Sequence, residues 1–392
     1  MGFFPLDEQL GLVTGSLSPS IQDHLVHLAT WMPFERAVQM LKRYTGVQMS
    51  EATVRRHTYE VGKAALAVQT TQKSQPSEAE PTGKLIVSPD GAMVSLLKGV
   101  WAEVKTVAVG EVEPAKSGES VHSTKLSYFS RMLEVETFTE QATGELQRRG
   151  VDQASEVCAV MDGAEWIDGF LDWQCKDALR ILDFAHAAEY VSAIGQLAQA
   201  AGATFPQDWL AKQLHELKHQ GPEAVLQEVR RLRDEHPDVQ EISKKVSYLE
   251  KREARMQYPH YQAAGWPIGS GMVESGNKVV MQARLKGAGM HWAPAHVNPL
   301  LALRTSACND RWDETNQQVQ EHRAGQRLAQ RRSRQADRYA RLLLQIQIAL
   351  LLLAPPSKPQ PPAPPRTPSS PPSGPTRPSA SHPWRKPFLA KK

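Results

Sequence analysis

Apolar residues recur every three or four positions from about Leu17 to Lys63, and this spacing predicts three helices: LSPSIQDHLVHLATWM, PFERAVQMLKRYTG and SEATVRRHTYEVG. Pro33 opens the second, Gly46 closes it, and Ser50 caps the third. The third helix begins Thr53, Val54, Arg55, Arg56, His57, a short basic face after a glycine turn. A helix-turn-helix offers its recognition helix to a major groove in this way, and an ordinary bundle with a solvated basic face fits the same residues. A polar spacer holding Pro76 and Pro81 then reads as a linker over residues 71–83. Beyond it the period shortens. KLIVSPDGAMVSL, GVWAEVKTVAVGEV and KLSYFSRMLEVE are rich in Val, Ile and aromatics and predict three consecutive strands, antiparallel neighbours. A helix, TFTEQATGELQRRG, precedes a fourth strand, EVCAVMDGAEWI, and a further short helix precedes a fifth, DALRILDFAHAAEYV. That order predicts a mixed α/β fold in which helices pack on one mixed sheet.

Residues 187–265 show no strand pattern, and Pro206, Pro222 and Pro237 each stand where a helix would begin, so an all-helical insertion is expected there. The interrupted core then spans 84–186 and 266–312, preceded by a helical DNA-binding domain over 1–70. A long basic helix over 313–354 follows, and a proline-rich basic tail over 355–392 is expected to be disordered. The run Leu342 to Ala354 is 13 residues long with Gln345 and Gln347 inside it. A bilayer crossing needs roughly 20, so the run reads as the buried end of a helix or an oligomer contact rather than a membrane span. The N-terminus lacks a signal-peptide pattern, and three cysteines, Cys158, Cys175 and Cys308, have no paired spacing, which points to a reducing cytoplasm. A net charge of +4 over 392 residues leans toward a polyanionic partner without identifying one.

Two of the predicted strands run into the same dipeptide: Asp90 follows LIVSP and Asp162 follows VCAVM, each with glycine next. Either alone is ordinary turn chemistry. Glu274 sits in the first turn of a helix beginning near Gly271, where a carboxylate faces the positive end of the helix dipole. Taken together, three carboxylates from separate elements can hold two Mg²⁺ (or Mn²⁺) ions, an all-oxygen arrangement suited to in-line phosphoryl displacement.

Asp90, Asp162 and Glu274 on this strand order resemble the acids of the DDE transposases, which have an RNase H-like catalytic core. GWPIGSGMVESGNKVVMQARLKGAGMHW, with VMDGAEWI and ILDFAHAAEYV before it, is similar to the bacterial insertion-sequence transposases of the Kra type, distant relatives of the Mutator superfamily. The resemblance covers roughly Lys84 to Asp313 and, more weakly, the N-terminal helices. It implies catalytic and metal-binding roles for Asp90, Asp162 and Glu274, and a helical domain inserted before the glutamate. Asp183 and His186 in LDFAH fall on the family's acidic-x-x-His pattern as accessory candidates, although His186 also reads as a satisfied core histidine. Asn277 and Lys278 share the face of Glu274, so Lys278 either reaches a phosphate or pairs with Glu274; Arg284 and Lys286 follow as DNA-contacting candidates. Trp166 and Trp292 are suited to base stacking or, more simply, to core packing. Relatives often carry an N-terminal cysteine-rich zinc segment that this sequence lacks, so recognition of element ends is expected to rest on Arg55, Arg56 and His57.

The expected function is metal-dependent cleavage at the ends of a DNA element and strand transfer into target duplex by a homo-oligomer, with no membrane role. A noncatalytic DNA-binding protein and an RNase H-like nuclease that cuts without joining are the alternatives.

Overall fold

The structure, a computed structural model, describes residues 17–71, 83–113 and 121–353. Local capping chemistry sets the first three helices. The Ser18 hydroxyl accepts from Ile21 N–H at 3.3 Å at the start of α1 (Pro19–Trp31). Gly46, at φ +73°, terminates α2 (Phe34–Thr45). The Ser50 hydroxyl accepts from Thr53 N–H at 3.2 Å ahead of α3 (Glu51–Thr71). That third helix outruns its predicted end because Ala64, Ala65 and Ala67 sustain it beyond Gly62. Gly62 is required by a crossing: a Cβ there would lie 2.7 Å from the carbonyl oxygen of Pro299. The N-terminal helices are therefore not a body apart. Val26, Val61, Ala64 and Ala65 share a buried cluster with Ala302, Leu303 and Val319, within one compact unit that extends to Ala329.

Five strands follow: β1 (Lys84–Ser95), β2 (Trp101–Glu113), β3 (His122–Arg131), β4 (Glu156–Met161) and β5 (Leu179–Leu182). They form one mixed sheet in the order β3-β2-β1-β4-β5. β1, β2 and β3 are antiparallel neighbours, whereas β4 pairs parallel to both β1 and β5. The mixed sheet is compatible with an RNase H-like core.

Two expectations need correction. Asp90 does not end its strand, because β1 continues to Ser95, paired with β2 throughout; only its pairing with β4 stops, at Val87. The fifth strand ends at Leu182, and FAHAAEYV belongs to a helix, because Asp183 caps a run rich in alanine.

Alternation divides the apolar residues between the two faces of the sheet. Leu85, Val87, Val107, Ala159 and Met161 pack with Phe138 of α4 (Val135–Arg148) and Ile167 and Phe170 of α5 (Glu165–Gln174). On the other face Ile86, Ala108, Cys158, Val160 and Ile181 pack beneath α6 (Phe184–Ala200) and the helices that follow. Those helices are α7 (Trp209–His219), α8 (Glu223–Glu235), α9 (Gln240–Glu250) and α10 (Tyr258–Ala263). The chain then enters α11 (Gly271–Gly276), a π-helical turn over Asn277–Gln282 and α12 (Ala283–Leu285), before α13 (Pro294–Cys308) and α14 (Trp312–Leu353).

A second unit begins at Gln330. Within it the helix carries exposed side chains from Gln330 through Leu350. Among the described residues no helix is long and apolar enough to cross a membrane.

Candidate active site

Parallel register brings the aspartates together. Lys84 lies opposite Glu156 and Val87 opposite Ala159, and continuing this register brings Asp90 level with Asp162. Met161 lies opposite Leu182, and Asp183, the residue after β5, donates its N–H to the Met161 carbonyl at 2.8 Å. Asp90 and Asp162 follow the alternation of Ile86, Cys158 and Val160 and so address the face covered by α6, α11 and the π-helical turn.

Asp90 is half-buried and fully engaged: Oδ1 accepts from Gly91 N–H at 2.7 Å, and Oδ2 accepts from Asn277 Nδ2 at 2.7 Å. Burial pushes its carboxyl above the usual carboxylate range, and the charges of Asp162 and Glu274 push the same way against those two hydrogen bonds. Asn277 is buried, and its Oδ1 has no hydrogen-bond partner among the described residues.

Asp162 is held through its backbone by the helical insertion. Its Oδ1 accepts from Ala164 N–H at 2.9 Å, forming a tight turn through Gly163 at φ +78°. Tyr248 donates its hydroxyl proton to the Asp162 carbonyl, and Arg252 Nη2 donates to the Gly163 carbonyl at 2.6 Å. The Arg252 guanidinium lies over the Tyr248 ring at 3.7 Å, and that ring stacks on Tyr190 at 4.0 Å. A Cβ at Gly163 would meet Arg252 Nε at 2.5 Å and Tyr248 Oη at 2.7 Å, so only glycine lets the clamp close. Neither Tyr248 nor Arg252 was legible as a site residue; they belong to an ordinary amphipathic helical stretch.

Asp183 is buried and structural. Its Oδ1 accepts from His186 N–H at 2.8 Å as the cap of α6, and its Oδ2 accepts from Ser270 N–H, fastening the segment that leads into Glu274. His186 sits in the first turn of α6, not on a strand, with its ring 5.2 Å from Tyr190 and Nδ1 3.8 Å from Glu189.

Glu274 is exposed, and its Oε2 stands 3.9 Å from Lys278 Nζ, one turn on. The π-helical turn that follows brings Asn277 to Asp90. π turns leave carbonyls without their usual helical partners. Arg304 supplies donors here, with Nε to Val280 O at 3.0 Å and Nη2 to Val279 O, while its Nη1 reaches Thr30 O at 3.2 Å. Among the described residues no three His, Cys, Asp or Glu side chains form a group tight enough to hold one metal ion.

Of the expected DNA contacts, Arg55, Arg56, Lys278 and Lys286 are exposed. Two others are corrected. His57 is buried, its Nδ1 3.0 Å from Gln22 Nε2, because it falls on the α3 face that packs on α1. Arg284 is also buried: Nε donates to Ala29 O at 2.9 Å and the guanidinium lies between Phe34 and Trp292, where burial pulls its pKa down to about 10. Trp292 donates from Nε1 to Leu285 O at 2.9 Å, and Trp166 packs edge-on against Phe138 and Phe170, so both tryptophans serve the core.

No curated protein matches the chain in sequence. Among solved structures, the Drosophila P element transposase strand transfer complex is similar at 9% identity, covering 81% of this chain and 83% of that chain with a TM-score of 0.27, too low to carry a structural argument. The profile of the Uncharacterised protein family (UPF0236) matches residues 3–320, and the chain belongs to that family.

Proposed function

We propose that this chain is a DDE transposase of the Kra type, cutting DNA at the ends of its element and joining those ends to target duplex. The observation that carries the reading is the parallel register of β1 and β4, which, continued three residues past Val87 and Ala159, sets Asp90 level with Asp162, while Asn277, three residues after Glu274, donates to Asp90 Oδ2 at 2.7 Å. The donor chemistry fits a hard divalent cation. All three acids offer carboxylate oxygens, Asp90 carries a charge its surroundings disfavour, and Asn277 Oδ1 is buried without a partner among the described residues.

Bound Mg²⁺ or Mn²⁺ ions supply Lewis acidity for the attacking and leaving oxygens of the phosphoryl displacement. Asp90, Asp162 and Glu274 would hold the ions. Asn277 fixes the Asp90 carboxylate through Oδ2, and Tyr248 and Arg252 fix the Asp162 turn. Lys278, 3.9 Å from Glu274, is exposed and would be available to a substrate phosphate were Glu274 to hold a cation. Arg55 and Arg56 supply contacts to the element end.

The test incubates the protein with Mg²⁺ or Mn²⁺ and labelled DNA carrying the element's ends. Glu274→Gln is expected to reduce cleavage and strand transfer by at least about a hundredfold while DNA binding survives. Undiminished products would remove Glu274 from the site. Cut ends that are never joined would favour the nuclease, and binding without cleavage the noncatalytic protein.

Self-association belongs to the same reading. Tyr339, Leu343, Ile346 and Leu350 recur at intervals of four, three and four residues on the terminal helix, and Leu343 and Leu350 are 60% and 63% exposed. This spacing suits pairing with a second copy. Leu343→Glu with Leu350→Glu is expected to lower the molar mass found by sedimentation; the same mass for both proteins would place any interface elsewhere.

A further inference from the structure

The net charge of +4 conceals an uneven division. Residues 330–392 carry twelve Lys and Arg against the single Asp337, a formal +11, which leaves 34 of the 46 basic and 41 of the 42 acidic groups, a formal −7, to residues 1–329. The unit that bears the clustered acids is thus anionic and would repel a polyanion over distances comparable with the Debye length, about 8–10 Å near physiological salt. The compensating charge lies in the terminal unit.

Within the described part of that unit, five arginines fall between Gln330 and Arg341, all exposed. Four of them, Arg331, Arg334, Arg338 and Arg341, follow one another at intervals of three, four and three residues in a continuous helix and so line one face. From Arg331 to Arg341 that face runs about 15 Å at the helical rise. Arginine presents a planar fork that grips phosphate oxygens in pairs. The remaining positions of the segment, Ser333, Gln335, Ala336, Asp337 and Ala340 among them, offer no broad apolar stripe; Tyr339 is the one large ring. A helix that lies in a membrane surface needs apolar residues alongside its basic ones, whereas here the apolar run comes after them along the axis. Duplex DNA, with about one charge per 1.7 Å of axis, offers phosphates to every rung of such a face.

We propose that the face of α14 bearing Arg331, Arg334, Arg338 and Arg341 is a duplex DNA site that grips the phosphate backbone without reading base sequence. From the function proposed above it takes only the identity of the partner as DNA.

The test uses the full chain and a labelled duplex of arbitrary sequence, without divalent ions, titrated over a range of salt. Replacing Arg334, Arg338 and Arg341 together with glutamine keeps helix propensity close to that of arginine. Binding is expected to weaken, and the slope of log affinity against log salt to flatten by about 3, one for each phosphate no longer neutralised. Replacing the same three with lysine should restore most of the slope. An unchanged slope in a triple glutamine variant whose circular dichroism matches the parent overturns the proposal. So does an unchanged duplex affinity accompanied by lost binding to anionic lipid vesicles. A parent chain that binds this duplex with the expected slope yet never cuts element ends would sink the transposase reading and leave the arginine face standing.

Discussion

Asp90→Asn will unfold at a higher temperature than the parent and, on the proposed transposase function, will lose metal-dependent cleavage by three orders of magnitude or more, about 4 kcal/mol of transition-state stabilisation. The two effects share one cause. Burial, with Asp162 and Glu274 adding repulsion, makes the ionised Asp90 carboxyl costly in the folded protein, and an amide of the same shape removes that cost. Gly91 N–H keeps its acceptor at position 90. The Asn277 amide can turn over, because its Oδ1 has no partner to lose, and accept from the introduced NH₂ group. The pH dependence follows from the direction of the shift. A carboxyl whose folded pKa lies above its ordinary value destabilises the fold when ionised, and this penalty fades as pH falls through the folded value toward the ordinary one. The advantage of the variant should therefore be greatest near neutrality and shrink in acid. Thermal melts across that range, without divalent ions, check it; a variant less stable than the parent at neutral pH would mean that the Asp90 charge is already well compensated.

Asp183→Ala will cost roughly 2–4 kcal/mol, the sum of a missing helix cap and a buried N–H left without an acceptor. Its two oxygens serve different elements: His186 N–H in the first turn of α6 and Ser270 N–H in the strap before α11. Breaking the second bond frees the segment that carries Glu274, so cleavage should fall along with stability. Asp183→Asn retains one acceptor oxygen and should lie between the two. Urea unfolding read by circular dichroism measures the differences; a loss below about 0.5 kcal/mol for alanine would show that neither bond matters.

Features written locally were legible in the sequence. Ser50 and Gly46 bound their helices by their own side chain or backbone freedom, Pro222 stands directly before a helix, and the two Asp-Gly pairs sit where Asp90 and Asp162 accept from nearby backbone N–H groups. What depended on distant partners was not legible. His57 and Arg284 look like surface residues in one dimension and are buried because Gln22 and the Ala29 carbonyl come to meet them from α1. Asp90 reads as the end of a strand because it follows an apolar run, but β2 continues to pair with β1 as far as Ser95. The stretch DALRILDFAHAAEYV alternates as a strand would until Asp183 turns its carboxylate onto a helical N–H, a bond invisible to periodicity.

The hold of Tyr248 and Arg252 on the Asp162–Gly163 turn bears on modularity. Although the helices between residues 187 and 265 interrupt the core as a detachable cassette would, they also act as a splint for an acid more than eighty residues upstream. A chimaera that exchanges this cassette for another must bring its own equivalents of those two side chains, or it will inherit a sheet whose second aspartate has lost its brace.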